Sequence, residues 1–236
     1  MRIGLVSYVS ENKNTAFNLT QIERAMKESE GKADLLCFSE AFLQGFDSLV
    51  WDYDTDSKMA VTQTSKEITQ IREWTKRYGI GIVTGYIEKE DDHIYSSCIV
   101  IDDGEIVHNY RRISKGWKEF DRTDGHYREG NETKEFFLSG KRFMIALCGD
   151  LWDAPERFKT EGILLWPVYV SFPVEAWEKE EIDAYGKQVA LAADDVLMVN
   201  CIDPMWDCHG GCFVFHKGEV ISRIGFDKED ILYCEI

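Results

Sequence analysis

Two side chains suited to acyl transfer stand just beyond short apolar runs of this sequence. Glu40 lies two residues after Asp34-Leu35-Leu36-Cys37-Phe38, and Cys148 ends the run Phe143-Met144-Ile145-Ala146-Leu147 and is followed at once by Gly149-Asp150. An almost wholly apolar run predicts a strand covered on both faces, and in open α/β sheets the ligand lies outside the carboxyl ends of the strands. A thiol at such a turn is placed to attack, and the glycine after it lets backbone N–H groups turn toward a reacting oxygen. A free thiol, with a pKa of ~8.5, needs activation at neutral pH. A carboxylate in hydrogen-bond reach can take the proton, which makes Glu40 the natural general base. Each residue also has a plain reading: a cysteine among apolar neighbours is a small buried hydrophobe, and a glutamate past a strand is a solvated loop charge. For Cys37, Cys98, Cys201 and Cys234, inside predicted strands, the core reading wins.

The stretch Cys208-His209-Gly210-Gly211-Cys212 invites a metal reading. A zinc site needs a second ligand pair elsewhere, and the remaining histidines, His93, His108, His126 and His216, are scattered without pairing. No metal and no organic cofactor is expected. The glycine pair fits a close backbone approach at the start of a strand.

The elements that must carry these residues follow from periodicity. Strands are expected at Arg2–Tyr8, Asp34–Phe38, Ile80–Tyr86, Tyr95–Ile101, Glu105–Tyr110, Arg142–Cys148, Ile163–Trp166 (ended by Pro167), Val196–Ile202, Cys212–Phe215, Glu219–Ile224 and Ile231–Glu235. Helical spacing of apolar residues marks about Thr15–Glu30, Ser65–Arg77 and Trp177–Ala193. Hairpins turn at Asp102-Asp103-Gly104 and Lys217-Gly218, where glycine tolerates positive φ. Strands alternating with helices, interrupted by antiparallel hairpins, predict a layered α/β fold with mixed sheets. Lys115–Glu135 is the one irregular block, long enough to be a functional loop.

Composition bounds the function. The 236 residues carry a net charge of −16, which disfavours a nucleic-acid groove and an anionic membrane surface. No apolar run reaches the ~18 residues of a transmembrane helix. The N-terminal apolar stretch is too short for a signal peptide, and seven cysteines are an odd number, so a reducing cytoplasm is the expected location.

Taken in order, these pieces resemble the nitrilase superfamily of carbon–nitrogen hydrolases. The matching stretches are Ala33–Glu40 with Gly45-Phe46, Ile82-Val83-Thr84-Gly85 through Asp103-Gly104 to Tyr110-Arg111-Arg112, Ala146–Asp150 with Pro155-Glu156, and Val199-Asn200 followed by His209–Cys212. The resemblance covers nearly the whole chain. It implies a four-layer αββα sandwich with mixed sheets, one carbon–nitrogen hydrolase domain over residues 1–236, and a homodimer or higher oligomer. It also implies hydrolysis of a small amide or N-carbamoyl compound through a cysteine thioester. Carried over by position, Glu40 is the general base and Cys148 the nucleophile, with backbone N–H groups around Gly149 at the oxyanion. The third member is a lysine in the family, and here that position is Arg112. Arginine keeps a permanent charge, but its planar fork differs from a compact ammonium. Lys115 and Lys118 are the nearest amines that could substitute, and Asp124 is the nearest match to a second acidic residue of the family. The family's frequent glutamine at the end of the first strand is Ser7 here. Two rival readings remain: a catalytically weakened binding or scaffolding protein, because of Arg112, and a metal-dependent hydrolase using Glu40, Asp150 and Asp153.

Overall fold

Residues 1–236 are all described by a computed structural model. Its strands run β1 (Arg2–Ser7), β2 (Leu35–Cys37), β3 (Gly81–Glu90), β4 (His93–Asp102), β5 (Glu105–Arg111), β6 (Phe136–Leu138), β7 (Lys141–Ile145), β8 (Ile163–Val168), β9 (Asp195–Asn200), β10 (Ile202–Asp203), β11 (Cys208–His209), β12 (Cys212–His216), β13 (Glu219–Ile224) and β14 (Asp230–Glu235). The helices are α1 (Thr15–Glu28), α2 (Tyr53–Met59), α3 (Lys66–Tyr78), the single turn α4 (Asp150–Asp153), and α5, which runs through Val174–Ala176, a π-turn at Trp177–Glu181, and Ile182–Val189.

Two six-stranded sheets form, in the orders β14-β1-β2-β3-β4-β5 and β13-β12-β9-β8-β7-β6. Each has three parallel neighbours at its centre, β1-β2-β3 in one and β7-β8-β9 in the other, flanked by antiparallel strands. Strand alternation decides the layering. Ile3, Leu5, Leu35 and Cys37 belong to one apolar cluster with Phe143, Ile145 and Leu164 of the facing sheet. Their alternates Val6, Leu36 and Phe38 pack with Ile22, Ala25 and Met26 of α1 and Ile68, Ile71 and Trp74 of α3. Tyr185 and Val189 of α5 cover the second sheet. The order is helix, sheet, sheet, helix, as expected. No helix is long and apolar enough to cross a membrane.

Two expectations need correction, and one helix was not expected. Cys148 does not lie in a strand: β7 stops at Ile145, and the chain leaves the sheet before the thiol. Pro167 does not end β8, which runs on to Val168. A central strand loses a ladder bond at proline, but β7 has already ended beside Pro167. The proline carbonyl instead accepts from the Cys148 N–H at 3.0 Å. Finally, α2 lacks the apolar period that would reveal it. It forms because the Asp52 side chain caps it, accepting from the Thr55 N–H at 3.0 Å.

Candidate active site

The end of β8 brings the two reactive residues together. Pro167 holds the Cys148 N–H, and the next carbonyl, Val168, accepts from the Glu40 N–H at 3.3 Å. Both residues therefore sit where the carboxyl ends of the two sheets meet. Gly85 fixes the Glu40 turn from the other side. Its N–H donates to the Ser39 carbonyl at 3.1 Å, and a Cβ at Gly85 would run into the backbone of Ser39, Glu40 and Ala41.

Cys148 has φ +39°, a left-handed conformation that costs a non-glycine residue ~1–2 kcal/mol. The surroundings hold it there. Its carbonyl accepts from Trp166 Nε1 at 2.9 Å, and its thiol points to the Tyr169 carbonyl, with Sγ 3.5 Å from the oxygen. Asp150, fully buried, closes the turn. Its carboxylate accepts from Leu147 N at 2.8 Å, Ser114 N at 2.8 Å, Ile113 N at 3.1 Å and Tyr110 Oη at 2.6 Å. One side chain thus ties the turn bearing the thiol to the segment bearing Arg112. Burial pushes the Asp150 carboxyl above the usual carboxylate range, only partly offset by Tyr110, Arg112 and the Leu147 and Ser114 N–H groups. Asp150→Ala strands three backbone N–H groups and a phenol. At ~1–3 kcal/mol for each unsatisfied buried group, urea unfolding should show a loss of at least about 3 kcal/mol.

Glu40 and Arg112 form a buried ion pair, with Arg112 Nη1 2.9 Å from Glu40 Oε1 and side-chain exposures of 3% and 0%. Ser96 Oγ donates to the same oxygen at 2.9 Å, and Arg112 Nε donates to Ser114 Oγ at 2.7 Å. The second carboxylate oxygen, Glu40 Oε2, is buried without any partner. The thiol of Cys148 lies within the field of both charges. Burial, then Glu40, pushes it up to about 12, with Arg112 pulling the other way. At neutral pH it is therefore a thiol and not a stored thiolate.

The structure brings together Glu40, Arg112, Cys148 and Gly149 and leaves three candidate residues outside. Lys115 is exposed and joins neither Glu40 nor the thiol turn through any ion pair or hydrogen bond. Asp124 is exposed too, its carboxylate turned to the His126 N–H and ring at 2.9 Å. Lys118 is tied to Glu129 at 2.7 Å and to the Tyr127 carbonyl at 2.7 Å. Arg112 is thus the cation that meets Glu40. In the loop that follows, Tyr127 is buried with its hydroxyl on Asp56 at 2.7 Å, which anchors the loop. Ser96 and Ser114 were missed. Ser96-Ser97, a polar pair inside the apolar strand β4, is the signal that could have found the first.

A surface hollow of about 730 Å³, lined by Glu135, Arg142, Thr160 and Asp195 among others, lies at the amino ends of β8 and β9, away from the thiol. The Cys208–Cys212 stretch divides: His209 Nδ1 sits 2.7 Å from Asp227, Cys208 Sγ 3.0 Å from the Cys201 carbonyl, and Cys212 is buried in β12. Two of the three carboxylates of the metal-hydrolase reading are engaged, Glu40 by a guanidinium and Asp150 by four donors, an arrangement opposed to gathering a divalent cation.

Burial raises the thiols of Cys37, Cys98, Cys148 and Cys212 above the ordinary thiol value, and the contact with Cys208, together with burial, does the same for Cys201. From about pH 9 upward the unfolded chain releases thiol protons that the folded chain keeps. Stability therefore falls as pH rises, by up to ~1.4 kcal/mol per pH unit for each thiol held. Urea midpoints at pH 8, 9 and 10 should drop progressively; constant midpoints would contradict these shifts.

Residues 2–153 match the carbon–nitrogen hydrolase family, and the chain belongs to that family. It is similar to the glutamine-dependent NAD(+) synthetase of Thermotoga maritima, 26% identical over 232 residues, which are 93% of this chain and 39% of the synthetase. The chain spans less than two thirds of the length of the curated relatives it matches. Among solved structures, its fold is similar to that of XC1258, a CN-hydrolase superfamily protein of Xanthomonas campestris (TM-score 0.78, 18% identity, 99% of this chain and 89% of the other). An amidase from Nesterenkonia sp. superposes equally well (TM-score 0.78, 16% identity, 100% and 90%).

Proposed function

We propose that the chain hydrolyses a carbon–nitrogen bond of a small amide or N-carbamoyl compound through a thioester on Cys148. The observation that carries this reading is the buried Oε2 of Glu40, left without a hydrogen-bond partner, in a site where burial and Glu40 itself raise the Cys148 thiol. A general base needs a free lone pair, and a thiol with a raised pKa needs a base at the moment of attack.

Glu40 takes the Sγ proton as sulfur attacks the carbonyl carbon. The oxyanion of the tetrahedral intermediate is held by Arg112 and by backbone N–H groups at Gly149. As the C–N bond breaks, protonated Glu40 gives its proton to the leaving nitrogen, and ammonia or an amine departs. Water then adds to the thioester, its proton passing to Glu40, and the acid leaves as the thiol is restored. Two comparisons support this. The Thermotoga relative is named as glutamine-dependent, and glutamine carries a primary carboxamide. A Nesterenkonia amidase variant is described with the acetamide moiety of fluoroacetamide covalently added at its active-site cysteine. The substrate class proposed is therefore a primary carboxamide before an N-carbamoyl group.

The test is ammonia release from a panel of primary amides and N-carbamoyl compounds. Release should be abolished by iodoacetamide and survive a chelator. No release from any member, with binding of one of them retained, would replace the hydrolase by the binding-protein reading.

A further inference from the structure

Gly149 has φ −62° and ψ −12°, a helical conformation open to every residue type, so the backbone does not ask for glycine there. Space does. A Cβ on Gly149 would stand 2.5 Å from Arg112 Nη2, 3.2 Å from Ser114 Oγ and 3.5 Å from Arg112 Cζ. The guanidinium cannot swing aside cheaply, because Nε is held by Ser114 and Nη1 by Glu40 in a site 3% exposed. The third nitrogen, Nη2, has no hydrogen-bond partner in the chain and lies against the residue that follows the thiol.

We infer that Gly149 and Arg112 are a coupled pair. The missing side chain at 149 is the room in which the second arm of the Arg112 fork stands, and that arm is the donor placed for the oxyanion next to Cys148. Gly149 is then a positioning residue acting through Arg112. The oxyanion half of this inference rests on the proposed hydrolysis, while the steric half does not. A lysine at 112 has one nitrogen in place of the fork, so it would leave that room empty.

The experiment compares wild type, Gly149→Ala, Arg112→Lys and the double variant, by kcat and KM on the best primary amide and by the iodoacetamide rate of Cys148. Gly149→Ala should lower kcat by ~10²-fold, the usual cost of one oxyanion donor, with KM moved far less. Arg112→Lys should lose about as much, and adding Gly149→Ala to it should cost less than about threefold more. Fold-losses that multiply in the double variant would overturn the coupling. If even wild type releases no ammonia, the hydrolase reading fails alone. The coupling is then judged on alkylation, which Gly149→Ala should slow at least fivefold beside Arg112 and leave unchanged beside lysine. If Gly149→Ala does not fold, recovery of folding in the double variant supports the pair, and failure of both refutes it.

Discussion

Replacing Cys148 with alanine should remove turnover while leaving the protein folded. The proposed nucleophile is the one group for which no neighbour can substitute: Glu40 is engaged by Arg112 and Ser96, and Asp150 is wrapped by four donors. Loss of a covalent nucleophile from such a unit costs on the order of 10⁴-fold or more in kcat. Stability should hardly move, because alanine keeps the interactions that force φ +39°, the N–H to Pro167 and the carbonyl to Trp166. Ammonia release and thermal unfolding measured on the same preparation check both halves. Activity within tenfold of wild type would move the chemistry elsewhere.

Glu40→Gln should be costly twice over. Losing a general base lowers the rate by ~10²–10⁴-fold. The same change leaves Arg112 charged, 3% exposed and without its anion. Breaking one partner out of a buried pair typically costs ~3–5 kcal/mol. The glutamine carbonyl can still accept from Arg112 and Ser96, so about 3 kcal/mol is the expected loss in urea. In the double variant Glu40→Gln with Arg112→Met, much of that stability should return with no recovery of activity. That outcome separates the base from the counter-ion. A Glu40→Gln protein as stable as wild type would mean that the pair carries little weight.

What the sequence made legible is local. The apolar runs before Glu40 and Cys148, the hairpins at Gly104 and Gly218, and the periods of α1 and α3 all arise from neighbours in the chain, and the structure has them within a few residues. Glu40 and Cys148 stood out because each follows such a run. The contacts that make them a site are not local. Arg112 meets Glu40 across 72 positions, Asp150 reaches Ser114 across 36, and Tyr127 reaches Asp56 across 71. No spacing rule encodes these pairs. Charge and proximity in sequence point to Asp124 and Lys115, but their loop carries both to the surface. Pro167 misled for a related reason: its missing N–H faces a place where β7 has already stopped, which only the sheet order reveals.

The most direct test of the central claim, that Glu40 is the base for Cys148, is the sign of one rate change. Glu40 is a negative charge that pushes the Cys148 thiol up. If it acted only as a charge, Glu40→Gln would ease thiolate formation and speed alkylation. As a base that removes the proton during attack, its loss slows alkylation. Intact-mass labelling with substoichiometric iodoacetamide at pH 7, the modified cysteine mapped, reads this directly. We predict that Cys148 labels ahead of the other six cysteines and that Glu40→Gln slows it at least tenfold. Faster or unchanged labelling in Glu40→Gln would contradict the account.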